Sequence, residues 1–375
     1  FLSGGIDSSL VASVVSKISK TKYETFTIGF EEEAFDESIK AKKISNYLGL
    51  NNNSLILNQN KMLDIIPKIN EIYDEPFADS SQIPTFLLSQ FASQYSKVAL
   101  SGDGGDELFG GYNRYFLTEN IWKFSSIIPF HLRNYLFRFI LNMPPSIFNF
   151  FEKNINLFLA ENKKLHLLSD KLKKLSTKML NKREKEELYI SFLTEWGGEN
   201  ILYSTKSINY LKEYKSNLLL DKSFEENMMF FDTKTYLPDD ILTKVDRASM
   251  AVGLEVRAPF LSKELFRLSY SLKLNQKIKN KNGKIILKKM LKSYLPDNLI
   301  DHPKQGFGVP LSSWIKGALK EWVLDNISTT KIRNQSFFDE KKIRYYFDEH
   351  CKGSINYSSK LWPAIIFCDW YNRYC

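Results

Sequence analysis

Two glycine-rich stretches put hydroxyl and carboxylate side chains where a polyphosphate could be held. The first, SGGIDSS (residues 3–9), opens a helical pattern. Gly4 and Gly5 let backbone N–H groups approach an anion, and the N-terminus of the following helix adds its dipole. Ser3, Ser8 and Ser9 can donate hydrogen bonds to phosphate oxygens. Asp7 would repel a phosphate, but it suits Mg2+, a hard ion that bridges carboxylate and phosphate. A Ser/Asp-capped helix after a glycine turn explains the same residues equally well. The second stretch, LSGDGGDELFGGYNRY (100–115), sets Asp103, Asp106 and Glu107 among five glycines directly after an apolar run. One of these acids could complete a Mg2+ shell with Asp7, and another could act as a base. A surface turn rarely needs so many glycines together with so many acids, and a glycine turn with a helix cap is the lesser alternative. No G-x-x-x-x-G-K-[ST] loop occurs, which argues against NTPases that cut at the γ-phosphate, and no G-x-G-x-x-G follows a strand, which argues against a dinucleotide fold.

The elements that must position these loops alternate over the first third of the chain. SSLVASVVSKI sets Leu10, Val11, Val14, Val15 and Ile18 on one helical face. ETFTIGF has the period of a strand, DESIKAKKISNYLGL reads as a helix closing at Gly49, and NSLILN reads as a short strand. KMLDIIPKINEIYDEP reads as a helix stopped by Pro76, IPTFLLSQFASQYS as another, and KVALS as an apolar strand. Strands separated by helices imply βαβ units and a parallel sheet, where ligands bind beyond the carboxyl ends of the strands. Both glycine-rich loops fall there, so they are candidates for one shared site. From about residue 115 strand signals disappear and helical patterns take over. The expected organisation is an α/β domain over 1–115 and a largely helical subdomain over 116–375 that packs on it and completes the site.

Composition sets limits on partners. The 375 residues carry a formal charge of +9, with 43% hydrophobic and 25% charged residues. The lysines are scattered among acids on helical faces, as in ENKKLHLLSDKLKKLSTKML, rather than arranged to track phosphates, so no nucleic-acid partner is expected. No window reaches the roughly 18 uninterrupted apolar residues of a membrane span, and no membrane partner is expected. Cys351, Cys368 and Cys375 match no zinc or disulfide pattern and read as reduced thiols of a cytoplasmic protein. His131, His166, His302 and His350 form no metal-binding pair at helical spacing.

SGGIDSS looks like the pyrophosphate loop of the ATP pyrophosphatases, and LSGDGGDELFGGY resembles the second signature of the asparagine synthetase family. Two further stretches agree in order, DDILTKVDRASMAVGLEVRAPFL (239–261) and HPKQGFGVPLSSWI (302–315). The resemblance implies an adenine nucleotide α-hydrolase-like (PP-loop ATPase) α/β domain in an AMP-forming carbon–nitrogen ligase. There ATP is cut between its α- and β-phosphates, an aspartate side-chain carboxylate is adenylylated, and ammonia displaces AMP. By motif position, Ser3, Gly4, Gly5, Asp7 and Ser8 would surround the pyrophosphate, and Asp7 and Asp106 would hold Mg2+. Leu2, Ile28, Ser101 and Gly102 would line the adenosine pocket. Lys304 would neutralise charge growing on the α-phosphate, and Lys284 is a candidate phosphate contact, with Lys288 on a solvated face. Glu255 with Arg257 is expected as a buried pair, and Asp246 and Arg247 as architectural residues. Asp103 stands where many relatives carry the Glu credited with handling the ammonia proton, which leaves the acceptor open. Another carboxylate, such as a surface-polysaccharide sugar acid, or a cyclase of β-lactam or lasso-peptide type, is the alternative. The family normally carries an N-terminal glutaminase domain with a nucleophilic first Cys. The abrupt start on SGGIDSS raises the expectation that a strand and such a domain precede Phe1 in the full-length protein, and that these 375 residues use free ammonia. A homodimer is compatible with all of this.

Overall fold

The computed structural model describes residues 1–21, 23–31, 36–156, 168–196, 201–202, 209–300, 308–328, 331–332, 335, 337–353 and 355–375. It is mostly helical α/β, with two parallel two-stranded sheets among the described residues. By internal contacts the chain forms two compact units, one of residues 1–115 and 219–310, the other of 116–218 and 311–375.

In the first unit, the loop at 3–5 leads into α1 (Ile6–Ile18), followed by β1 (Glu24–Phe30), α2 (Ser38–Tyr47) and β2 (Asn51–Leu57). β1 pairs with β2 in parallel, from Glu24↔Asn51 to Phe30↔Leu57, the geometry a helical crossover requires. α1 differs in detail from the expected face: its buried residues are Ser9, Leu10, Ala12 and Ser13, while Ile18 is exposed. Small residues on the inner face let the helix lie close to its neighbours. The stretch expected as one helix before Pro76 is broken into Gln59–Leu63, a 3-10 turn at Ile66–Lys68 and Ile69–Tyr73. Pro67 lacks an N–H to continue the ladder, and so sits in that turn. Then come α3 (Gln82–Ser93), β3 (Val98–Leu100) and α4 (Gly105–Phe109).

The second unit begins within α5 (Arg114–Ser125) and continues through α6 (Phe130–Asn142), α7 (Pro145–Asn156) and α8 (Leu168–Met179). The chain returns to the first unit with α9 (Phe224–Lys234), a π-helical turn over Leu237–Leu242, α10 (Thr243–Met250), β4 (Glu255–Arg257) and α11 (Ile285–Leu291). β4 departs from the expected absence of strands after residue 115: it pairs in parallel with β3, from Val98↔Glu255 to Leu100↔Arg257. Its position also corrects the expected burial of Glu255 and Arg257. Their ion pair forms at 3.5 Å, but both side chains are more than half exposed. The second unit closes with α12 (Glu340–Lys352) and α13 (Ser358–Tyr374). No helix among the described residues is long and apolar enough to cross a membrane.

The core of the first unit lies directly beneath the glycine-rich loops. Leu2, Leu10, Leu108, Phe109, Leu287 and Leu291 belong to one buried cluster. Leu2 precedes the first loop, Leu108 and Phe109 follow the second, and Leu287 is one turn into α11. Burying each such side chain contributes about 1.5–3 kcal/mol, so the polar loops are anchored from below by the same residues that hold the unit together. Phe1 and Leu2 also tie β1 to β3, since the Leu2 N–H donates to Phe26 O at 2.9 Å and the Phe1 nitrogen to Leu100 O at 2.7 Å.

Candidate functional site

The first loop is closed on itself by its hydroxyls. Ser3 Oγ and Ser8 Oγ lie 3.1 Å apart, the Gly5 N–H donates to Ser3 Oγ at 3.2 Å, and Ser8 Oγ donates to Gly5 O at 3.3 Å. Gly4, at φ 81°, takes the left-handed conformation that a side chain would strain. The turn sets Asp7 in the first turn of α1, aimed at the second loop. A β-carbon at Gly105 would come within 2.6 Å of the Asp7 carboxylate, and one at Gly102 within 2.9 Å of Ser8 N. These contacts explain the glycine density: without it, the two loops could not meet.

What they enclose is a carboxylate pair with a cation between. Lys284 Nζ bonds to Asp7 Oδ2 and lies 2.7 Å from Asp106 Oδ1. The lysine side chain is 7% exposed and the two acids 14% and 20%. Burial alone would lower the lysine's pKa, but the two carboxylates outweigh it and hold the ammonium well above the usual lysine range. The same residue is tied through its backbone, its N–H donating to Phe109 O at 3.0 Å at the end of α4. It closes a turn in which Asn280, Lys281 and Lys284 all have positive φ, 50°, 63° and 58°.

Asp103 begins a second polar cluster. Burial raises its carboxyl, opposed by the nearby Ser101 hydroxyl and the charge of Lys244. Lys244, on α10, has its ammonium 2.5 Å from Asp79 Oδ2 and 3.7 Å from Asp240 Oδ1. Burial and the neighbouring Asp79 push Asp240 up to about 7, while for Asp79 the attraction of Lys244 overcomes burial and keeps its carboxyl low. Next to Asp106, Glu107 is buried and pushed up to about 7 by desolvation, and the Tyr112 hydroxyl donates to its Oε1 at 2.6 Å. Arg114 backs this pair, its guanidinium 4.0 Å from the Tyr112 ring centroid and bound to the fully buried Asp232 at 2.8 Å.

The structure therefore brings Asp7, Asp106 and Lys284 together, and sets Ser3, Gly5, Ser8 and Gly102 around Asp7. Leu2 and Ile28 are buried, 2% exposed each, beneath the first loop, where Thr27 Oγ1 donates to Leu2 O. Ser101 is buried at the end of β3. Lys304 lies outside the described residues, as do His302 and His166. Lys288 is half-buried. Arg247 makes a surface ion pair with Asp74 at 2.8 Å. The sequence reading missed the Lys244–Asp79–Asp240 cluster and the Glu107–Tyr112 pair. Asp240 and Lys244 are four apart on successive helical turns, a legible signal, but nothing in the sequence points to Asp79 as the third member.

Among the described residues no group of three or more His, Cys, Asp or Glu is arranged around a metal position. Asp7 and Asp106 nevertheless fit the usual manner of Mg2+ binding, in which one or two carboxylates and substrate phosphates share the ion. Gly102 and Gly105 leave open the space beside Asp7 that a β-carbon would fill.

Comparison with known proteins identifies the family. The family model described as asparagine synthase matches residues 1–372. The chain is 30% identical over 373 residues to asparagine synthetase [glutamine-hydrolyzing] 1 of Bacillus subtilis, covering 99% of this chain and 55% of that protein. It is 28% identical over 375 residues to a putative asparagine synthetase [glutamine-hydrolyzing] of Mycobacterium bovis, covering 99% and 54%. A more distant relative, amidase chry2 of Gibberella zeae, is 22% identical over 371 residues. The chain thus spans about half the length of these curated relatives. With both glycine-rich loops, their carboxylates and the later motifs inside the matched region, the chain belongs to the asparagine synthase family.

Proposed function

We propose that the chain is the ATP-using, amide-forming part of an asparagine synthetase, built on a PP-loop ATPase core. A side-chain carboxylate oxygen of aspartate attacks the α-phosphorus of ATP and pyrophosphate leaves. Ammonia then attacks the acyl carbon of the adenylate, AMP leaves, and the nitrogen gives up a proton to yield asparagine. The observation that carries this reading is the meeting of Asp7, Asp106 and Lys284 across 277 residues of sequence. Polyphosphate chemistry needs anchored positive charge and a carboxylate pair able to share a divalent ion with phosphate oxygens.

Asp7 and Asp106 would hold Mg2+, which when bound neutralises pyrophosphate charge. Ser3, Ser8 and the N–H groups at Gly4 and Gly5 bind and orient the leaving pyrophosphate. The Lys284 ammonium, held by both carboxylates, is a second positive charge within reach of that group. Lys304, on the family resemblance, neutralises the α-phosphate. Asp103, with a carboxyl raised by burial, is the candidate acceptor of the ammonia proton. The ammonia supply in the longer protein is a glutaminase domain.

Exchange of labelled pyrophosphate into ATP, measured across candidate carboxylates, tests this. Aspartate should support exchange that Asp7→Asn abolishes. Exchange with another acid and none with aspartate would move the acceptor to that acid. No exchange with any carboxylate would overturn the reading.

A further inference from the structure

Helix α6 of the second unit is amphipathic the wrong way round. In α6 the residues that face inward are polar. The Arg133 guanidinium donates to Lys182 O at 2.5 Å and lies 4.8 Å from the Trp122 ring, and Asn134 Oδ1 accepts from the Asn181 N–H at 2.9 Å. The residues that face out are Leu132, Tyr135, Leu136 and Phe139, 40–70% exposed and spaced i, i+3, i+4, i+7. α7 buries Phe148 but also exposes apolar residues: Ile147, Phe150, Phe151 and Ile155 are 39–66% exposed. Eleven large apolar side chains are exposed between residues 117 and 155, far more than scattered surface apolar residues account for.

Charge decides between occupants. On α6 and α7, Arg138 and Lys153 are exposed, and Glu152, the acid there, is not. Glu119 is engaged by Lys123 and Lys185, and Glu152 accepts the Leu168 N–H at 2.7 Å. A two-fold interface with a second copy would set two such positively charged faces against each other. An anionic bilayer surface meets both features, taking the Phe, Leu and Tyr stripes into its interfacial zone while long basic side chains reach its headgroups.

We propose that the α6–α7 face docks on an anionic lipid surface. The absence of a membrane span, from which no membrane partner was expected, does not bear on this, because a helix lying on a surface needs none. This binding is independent of the proposed reaction, and its test does not read catalysis. The purified chain is sedimented with vesicles of equal parts phosphatidylcholine and phosphatidylglycerol, and with vesicles of phosphatidylcholine alone. The chain should partition at least tenfold more strongly to the anionic vesicles, less so in high salt. Both Phe139→Ser/Phe150→Ser and Arg138→Glu/Lys153→Glu should cut that partitioning at least tenfold, with unchanged circular dichroism and ATP binding. No sedimentation with anionic vesicles, or equal partitioning by the Phe variant, overturns the proposal. So does a dimer by light scattering that the Phe variant dissolves, which would assign the face to a second copy.

Discussion

Replacing Lys284 by Met tests the charge logic of the site most directly. The change keeps most of the side-chain volume and removes a cation bonded to both Asp7 and Asp106. All three side chains are at most one-fifth exposed, so solvent does little to replace it. Breaking a buried ion pair by removing one partner costs about 3–5 kcal/mol. The lower half of that range applies here, because one of the two facing carboxylates relieves their repulsion by taking up a proton. The sign with pH follows. In the wild type the raised lysine pKa keeps the ammonium charged across the neutral range, so the contribution is present there and is lost only as alkaline pH exceeds that raised value. In the variant, a carboxylate with a raised pKa makes stability rise as pH falls. The gap between the two proteins, read by urea denaturation followed by fluorescence, should therefore be widest near pH 8 and narrow toward pH 5. Free Mg2+ should stabilise the variant more than the wild type, because the metal can take the lost cation's place. Adding Asp106→Asn should recover part of the loss, a coupling that a double-mutant cycle reads. A loss below about 1 kcal/mol, or a gap indifferent to both pH and Mg2+, would refute the account.

Gly105→Ala places a methyl group 2.6 Å from the Asp7 carboxylate; calorimetry should show ATP·Mg2+ binding weakened at least tenfold, about 1.4 kcal/mol, with the fold retained. Glu107, pushed up to about 7 from 4.5, binds a proton in the folded state that the unfolded chain releases. Its contribution to stability is full below about 4.5 and falls away as pH rises to about 7. Glu107→Gln should flatten part of that slope in denaturation measured across the window, with Asp240, pushed up to about 7, contributing to what remains. Lys304→Ala should abolish pyrophosphate exchange while ATP binding is largely kept; unchanged exchange would remove Lys304 from the reaction.

The parts of the site that were legible in the sequence are those where chemistry and conformation ask for the same rare residues. Gly102, Gly104 and Gly105 around Asp103 and Asp106 cannot be read as an ordinary surface turn, and β1 and β2 announce themselves by length and alternation. β4 was not legible, because three residues, Glu-Val-Arg, carry too little pattern to separate from a loop. Its pairing with β3 depends on contacts more than 150 residues apart. The same blindness made Glu255 and Arg257 look like a buried pair: opposite charges two apart share a strand face, but sequence does not say whether that face is covered. Asp79 was invisible for a related reason, since its partner Lys244 is 165 residues away. Lys284 stood out only as one lysine of a helical pair. Its role comes from a left-handed turn that starts α11 and points its side chain back between the loops.

That turn has an energetic consequence. Asn280, Lys281 and Lys284 each hold a left-handed backbone conformation that L-residues with side chains avoid by about 1–2 kcal/mol. The Lys279–Asn282 backbone pair, the Lys284 N–H bond to Phe109 O and the lysine's bonds to Asp7 and Asp106 together offset this, so part of the turn's catch is electrostatic. A ligand that draws the ammonium away from the carboxylates releases the catch, and backbone relaxation at 280–284 becomes part of the binding free energy. Amide exchange there would then report occupancy of the phosphate loop across the site.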